Sequence, residues 1–218
     1  MQVGNTERSW GAVQRTLHWT IAVMVLGQLL IGDIMLFKSA AGVPKLWYYV
    51  HPTVGILIGV LMLGRFVWRA ANPVPAVPED ISTGKQALSQ FTHYAFYFLL
   101  ICNPIVGYLL VGALGEHVHF FTAPLPNAMG KSSFYEAFYF WMHFAFAAAI
   151  GGLFLLHAGA ALQHEFLKRD NVLRRMLGFI PMTAERQAVQ EDPSERHEWA
   201  GERNSLLAAK AMRTRPGD

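Results

Sequence analysis

The chain has 218 residues, of which 53% are hydrophobic and only 15% charged, against roughly 25% charged in soluble domains. Its formal net charge is +3, and the basic residues stand beside apolar blocks, a topology pattern that argues for a membrane-lipid environment and against a nucleic-acid surface. The single cysteine, Cys102, excludes an intrachain disulfide, and the absence of a CxxCH motif excludes covalent c-type haem attachment by that motif.

Residues 1–16 are polar and form an N-terminal segment with Arg8 and Arg15. An apolar block from Leu17 to Phe37 follows, with His18 at its start. A secretory signal would combine the same basic flank with a cleavage site at Ser39-Ala40-Ala41, but the run exceeds the 7–15 residues of a signal core. The second block runs from about Trp47 to Trp68, with His51 near its beginning and Arg65 and Arg69 near its end. The proline-rich segment from Asn72 to Asp80 cannot be helical and reads as a connecting loop. The third block, about Leu88 to Leu114, has His93 near its start and Asn103-Pro104 inside it, where a kink is expected. A loop with Gly115, Pro124, Pro126 and Gly130 carries His117 and His119, both read as surface residues. The fourth block runs from about Phe138 to Phe166 and holds His143 and His157, with His164 at its end. Residues 179–218 are a polar tail with His197 as a surface residue and a short helix expected at Ser205 to Met212.

Each block is long enough to cross a bilayer core of about 30 Å. The fold class expected is therefore all-α: a membrane four-helix antiparallel bundle over residues 17–178. Lys and Arg counts near the spans give nine on one side (Arg8, Arg15, Arg65, Arg69, Lys85, Lys168, Arg169, Arg174, Arg175) and three on the other (Lys38, Lys45, Lys131). This asymmetry places both termini in the cytoplasm.

Orientation assigns each histidine a depth. His143 and His157 are fourteen residues apart, and His157 and His164 seven. These intervals miss whole helical turns by about 40° and about 20°, so all three imidazoles share one face, and the first pair is separated by about 21 Å along the axis. His51 and His143 then lie near the outer face, and His18 and His157 near the inner face. Paired imidazoles on facing helices are a way to hold a metal or cofactor in a bundle core. The spacing fits two b-type haems stacked across the membrane, with polar bundle contacts, proton relays or another metal as the other readings. Zinc favours tetrahedral clusters at short spacing.

Small residues accompany the pairs. Gly32 lies fourteen residues after His18, Gly55 and Gly59 follow His51 at four-residue steps, and Gly151 and Gly152 lie between the ligands on the fourth helix. They leave room for a flat macrocycle, or equally for close helix contact. Arg65, fourteen residues after His51, reaches the inner level, where a guanidinium suits a haem propionate.

As a set, these motifs resemble the bacterial four-helix cytochrome b561 family. The resemblance rests on Leu17-His18-Trp19, on His51 with Gly55 and Arg65, and on the Asn72-Pro-Val-Pro75 loop. It continues with His93 eleven residues before Pro104, Gly107 beyond it, and Trp141-Met-His143. It ends with the stretches from His157 to His164 and from Lys168 to Met176. It covers about residues 8–178 and implies bis-histidine b-haems held by His18, His51, His143 and His157. It further implies a superoxide oxidase-like enzyme that carries electrons from a periplasmic donor to ubiquinone. His93 and His164 match positions around the quinone, where imidazole suits proton delivery; as interfacial histidines they would face headgroups instead. The pattern often has a further polar residue one turn before His93, where this chain has Gln90, and it says nothing of the tail. Lys38, Lys45 and Lys131 are steering charges for an anion such as superoxide or ordinary loop lysines. The alternative functions are a cytochrome subunit serving a separate periplasmic dehydrogenase or hydrogenase as its redox partner protein, and a non-redox proton relay or scaffold.

Overall fold

Four apolar runs become four long helices in the computed structural model, which describes residues 3–5, 10–37, 42–75, 82–168 and 172–178. They are α1 (Ala12–Phe37), α2 (Trp47–Ala71), α3 (Thr83–Ala113) and α4 (Ser133–Gln163). A π-helical turn, His164–Lys168, extends α4, and a short α5 (Val172–Leu177) follows. All four long helices have the length and apolarity to cross a membrane. Three begin about five residues before the apolar blocks do, at Ala12, Thr83 and Ser133. Hydropathy marks only the hydrocarbon section, whereas a helix of 31 residues extends about 46 Å and continues through the headgroups. Helix α3 runs unbroken through Pro104. The tail, including His197 and the helix expected near its end, lies outside the described residues, as do Arg8, Lys38 and Arg169.

The helices pack in chain order, α1 on α2, α2 on α3 and α3 on α4. Contacts between opposite ends of successive helices make the neighbours antiparallel: Gln28, late in α1, donates from Nε2 to the carbonyl of His51, early in α2, at 2.6 Å. The core takes Ile21 and Val25 from α1, Ile58 and Met62 from α2, Tyr97, Leu99 and Leu100 from α3, and Ile150 from α4. Large apolar side chains also point outward, among them Leu30 (64% exposed), Phe91 (65%) and Leu155 (71%). In water each would forgo about 1.5–3 kcal/mol of burial. A hydrocarbon surround removes that cost and leaves the backbone satisfied within each helix.

The α3–α4 connection caps one end of the bundle. Its short strands β1 (His119–Phe120) and β2 (Ala123–Pro124) pair antiparallel. Asn127 organises the rest: Nδ2 donates to the carbonyls of Gly112 and Glu116, and Oδ1 accepts from the amides of Met129 and Gly130. The Tyr108 hydroxyl donates to the Pro126 carbonyl. Buried Thr53 of α2 fastens the hairpin, donating to the His119 carbonyl at 3.3 Å and accepting the Phe121 amide at 2.9 Å. Phe121 has φ of 55°, a left-handed conformation that a bulky residue adopts at a cost.

At the opposite end, Asn5 joins the N-terminal segment to the α2–α3 loop. Its Nδ2 donates to the Pro73 carbonyl at 3.1 Å, and its Oδ1 accepts the Gly11 amide at 2.9 Å. Trp19 Nε1 donates to the Met176 carbonyl at 3.1 Å, and Arg174 pairs with Glu165 at 2.7 Å. These contacts hold α5 and the π-helical turn to the end of the bundle where His18 lies.

Candidate functional site

The hairpin end brings His51 and His143 together. His51 lies in the second turn of α2 and His143 in the third turn of α4. Their ring centroids are 6.0 Å apart and their planes 74°. At the other end His18 of α1 and His157 of α4 stand 6.1 Å apart, with planes at 71°. Two imidazoles on opposite sides of one metal, each at a metal–nitrogen distance of about 2 Å, have centroids about 6 Å apart. Both pairs therefore have the separation of a bis-imidazole site. Because α4 is continuous from His143 to His157, the two levels are about 21 Å apart along its axis.

His143 is oriented from α3. Its Nδ1 lies 3.2 Å from the carbonyl oxygen of Asn103, which leaves Nε2 as the nitrogen for a metal. A Cβ built on Gly107 would come within 2.9 Å of His143 Cε1, so only glycine leaves that ring its place. A Cβ on Gly32 would meet His51 Cε1 at 3.8 Å, which puts Gly32 at the hairpin-end pair.

The other glycines divide. A Cβ on Gly59 would touch the Pro104 ring at 3.5 Å, and one on Gly55 would meet Gln28 Nε2 at 3.5 Å. Both thus stand close to side chains of neighbouring helices. Gly151 and Gly152 meet nothing within 4 Å among the described residues.

Around His157 the structure gathers more than its partner. The His93 ring lies 5.5 Å away and the Phe96 ring 5.7 Å. Tyr97, one turn after His93, has the Arg65 guanidinium carbon 6.0 Å from its ring centroid, a cation–π distance. Arg65 is thereby linked to the His157 level. Its Nε is buried without a hydrogen-bond partner among the described residues, and so is Trp68 Nε1, three residues further along α2. Both are donor-only groups. Unpartnered buried donors are costly, and an anionic acceptor such as a propionate carboxylate would satisfy them. His164 caps α4 at the start of the π-helical turn, about 10 Å beyond His157 along the axis. His117 is exposed, but His119 is half-buried, its ring 5.0 Å from Tyr49. Its reading as a plain surface residue is corrected, because Thr53 draws the hairpin onto α2.

Among the described residues no group of three or more His, Cys, Asp or Glu converges to hold a bare metal ion. The arrangement is two histidine pairs at opposite ends of a membrane bundle, with open glycines on α4 and unpartnered donors near one pair. It fits the requirements of haem.

The family profile described as prokaryotic cytochrome b561 matches residues 9–179. The chain belongs to this family. Cytochrome b561 homolog 2 of Escherichia coli (strain K12) is 30% identical over 187 residues, covering 82% of this chain and 96% of that protein. Cytochrome b562 of Cereibacter sphaeroides is 30% identical over 176 residues, 78% of this chain and 96% of its own length. A Yersinia pestis protein named probable superoxide oxidase CybB is 26% identical over 175 residues, with 78% and 96% covered. The family binds b-type haem. The chain is a multi-pass membrane oxidoreductase, a b-type cytochrome of electron transfer.

Sequence reasoning missed four residues of this site. Asn103 acts through its backbone, which no side-chain pattern reveals. Gly107 was noted only as part of the family motif. Trp68 marks only the edge of an apolar block, and Gln28 stands within one with no role assigned to it from the sequence. A signal for Gly107 does exist: it stands one helical turn after Asn103, so its missing side chain and the Asn103 carbonyl open on the same patch of α3.

Proposed function

We propose that the protein is a di-haem cytochrome which takes electrons from superoxide at the hairpin end and passes them to ubiquinone at the opposite end. The observation that carries this reading is the two imidazole pairs, at 6.0 and 6.1 Å, on one continuous α4. His51 and His143 would hold one haem, and His18 and His157 the other. Bound between such imidazole pairs, haem would supply one-electron transfer.

The chain's own groups do the rest. Arg65 and Trp68 present N–H donors to a propionate. His93 and His164, at the end away from the hairpin, deliver protons to the quinone. Two superoxide ions give up one electron each and leave as dioxygen; the quinone takes both electrons and two protons and becomes quinol. The exposed Lys45 and Lys131 border the hairpin end and attract an anionic donor. The Lys/Arg asymmetry puts that end in the periplasm and both termini in the cytoplasm of a bacterial inner membrane. The name of the Yersinia pestis relative supports superoxide as donor.

The test is the purified protein alone in detergent or liposomes with ubiquinone. Reducible b-type bands at two haems per chain and sustained quinol formation under a superoxide flux are expected. A colourless protein overturns the haem reading. Two haems that stay oxidised under superoxide, and are reduced only with a separate dehydrogenase or hydrogenase, transfer the role to that of a cytochrome subunit.

A further inference from the structure

Helix α3 supplies neither histidine of the hairpin-end pair, yet it shapes one of them. The Asn103 carbonyl lies 3.2 Å from His143 Nδ1. A carbonyl has two lone pairs, so this oxygen serves its own helix and still accepts from the imidazole. Gly107 is positioned so that a Cβ would stand 2.9 Å from His143 Cε1 and 3.2 Å from Nδ1, closer than such contacts tolerate. The carbonyl and the bare α-carbon are therefore one recess, fitted to an imidazole in one rotation. His51 contrasts with this: its Nδ1 is buried with no partner among the described residues.

We propose that Asn103 and Gly107 are positioning residues for His143: the recess fixes the plane of this imidazole and, by accepting its Nδ1–H, raises the ring's donor strength. This rests on the reading that His143 ligates a haem. A more basic axial imidazole favours the ferric state. The recess thus holds the hairpin-end haem at a lower potential than an unrestrained imidazole would. It also sets the angle between the two ring planes, 74° here. Near-perpendicular planes give ferric low-spin haem a strongly anisotropic electron paramagnetic resonance signal, and rotation toward parallel makes that signal less anisotropic.

The test compares the full-length protein with Gly107→Ala, and with Gly84→Ala, where a Cβ meets nothing within 4 Å. In Gly107→Ala one of two haem components is expected to rise in midpoint potential and change its resonance signal, or to be lost, while the other component keeps both properties. Gly84→Ala should match wild type. Unchanged potential and signal in Gly107→Ala overturn the proposal. His143→Ala distinguishes this from failure of the haem reading: if it retains two haems, His143 is no ligand.

Should Gly107→Ala not accumulate, His143→Gly loaded with free imidazole or 1-methylimidazole decides the matter. Both can ligate, but only imidazole keeps an N–H for the Asn103 carbonyl. Imidazole should restore the lower potential and 1-methylimidazole a higher one. Equal potentials with the two overturn the proposal.

Discussion

His51 and His143 face each other across 6.0 Å from the early turns of α2 and α4, the same separation within 0.1 Å as His18 and His157 at the other end. Each pair takes one histidine from α4. Substituting that helix should therefore divide the sites: His143→Ala and His157→Ala should each leave one haem per chain, and the double variant none. A pyridine haemochrome assay counts them. Retention of both haems in both single variants would rule out the pairing.

Arg65 is half-buried, and its Nε is buried with no hydrogen-bond partner among the described residues. If Arg65 pairs a haem propionate as proposed, removing its charge favours the ferric state. Arg65→Ala should lower the potential of one haem, by about 60 mV for each 1.4 kcal/mol of interaction lost. Redox titration should find the other haem unmoved. Arg65→Lys keeps the charge without the planar fork, and its potential should lie between the two.

Gly59 is a matter of stability. Its α-carbon faces Pro104, and an added methyl would make ordinary contact at 3.5 Å, so Gly59→Ala should be tolerated. Gly59→Leu forces α2 away from α3 and should cost about 1–3 kcal/mol, read as a lower midpoint in a thermal melt in detergent. Should Gly59→Leu melt like wild type, the contact with Pro104 is not a close one.

Thr53 makes two hydrogen bonds to the hairpin through one hydroxyl. Thr53→Val keeps the shape and removes both. At about 0.5–1.5 kcal/mol per bond, the Phe121 amide should lose roughly tenfold or more of its protection. Hydrogen exchange followed by mass spectrometry measures this, and an unchanged rate would mean that Thr53 does not hold the hairpin.

Much of this was legible in the residues themselves. Four apolar runs announced four helices, because hydrocarbon demands an uninterrupted apolar length. The fourteen-residue interval on α4 announced two levels, because helical periodicity is fixed. What stayed hidden depends on rotation about the helix axes. Gly59 shares a helix with His51 and, by spacing, an approximate face, yet it meets Pro104, since a small angular drift selects a different neighbour. The Asn103 carbonyl has no letter of its own, and the fold alone brings it to His143. His119 looked like any loop histidine until Thr53, 66 positions earlier, drew the hairpin down.

One consequence follows from α4 being unbroken between His143 and His157. The helix acts as a ruler. Inserting one residue between them would turn His157 by about 100° and advance it about 1.5 Å, so this stretch does not tolerate a change of length. Nor does the ruler stretch with its surroundings. In a thinner or thicker bilayer the bundle adjusts by tilting, and the spacing between its two histidine levels travels unchanged from one membrane to another.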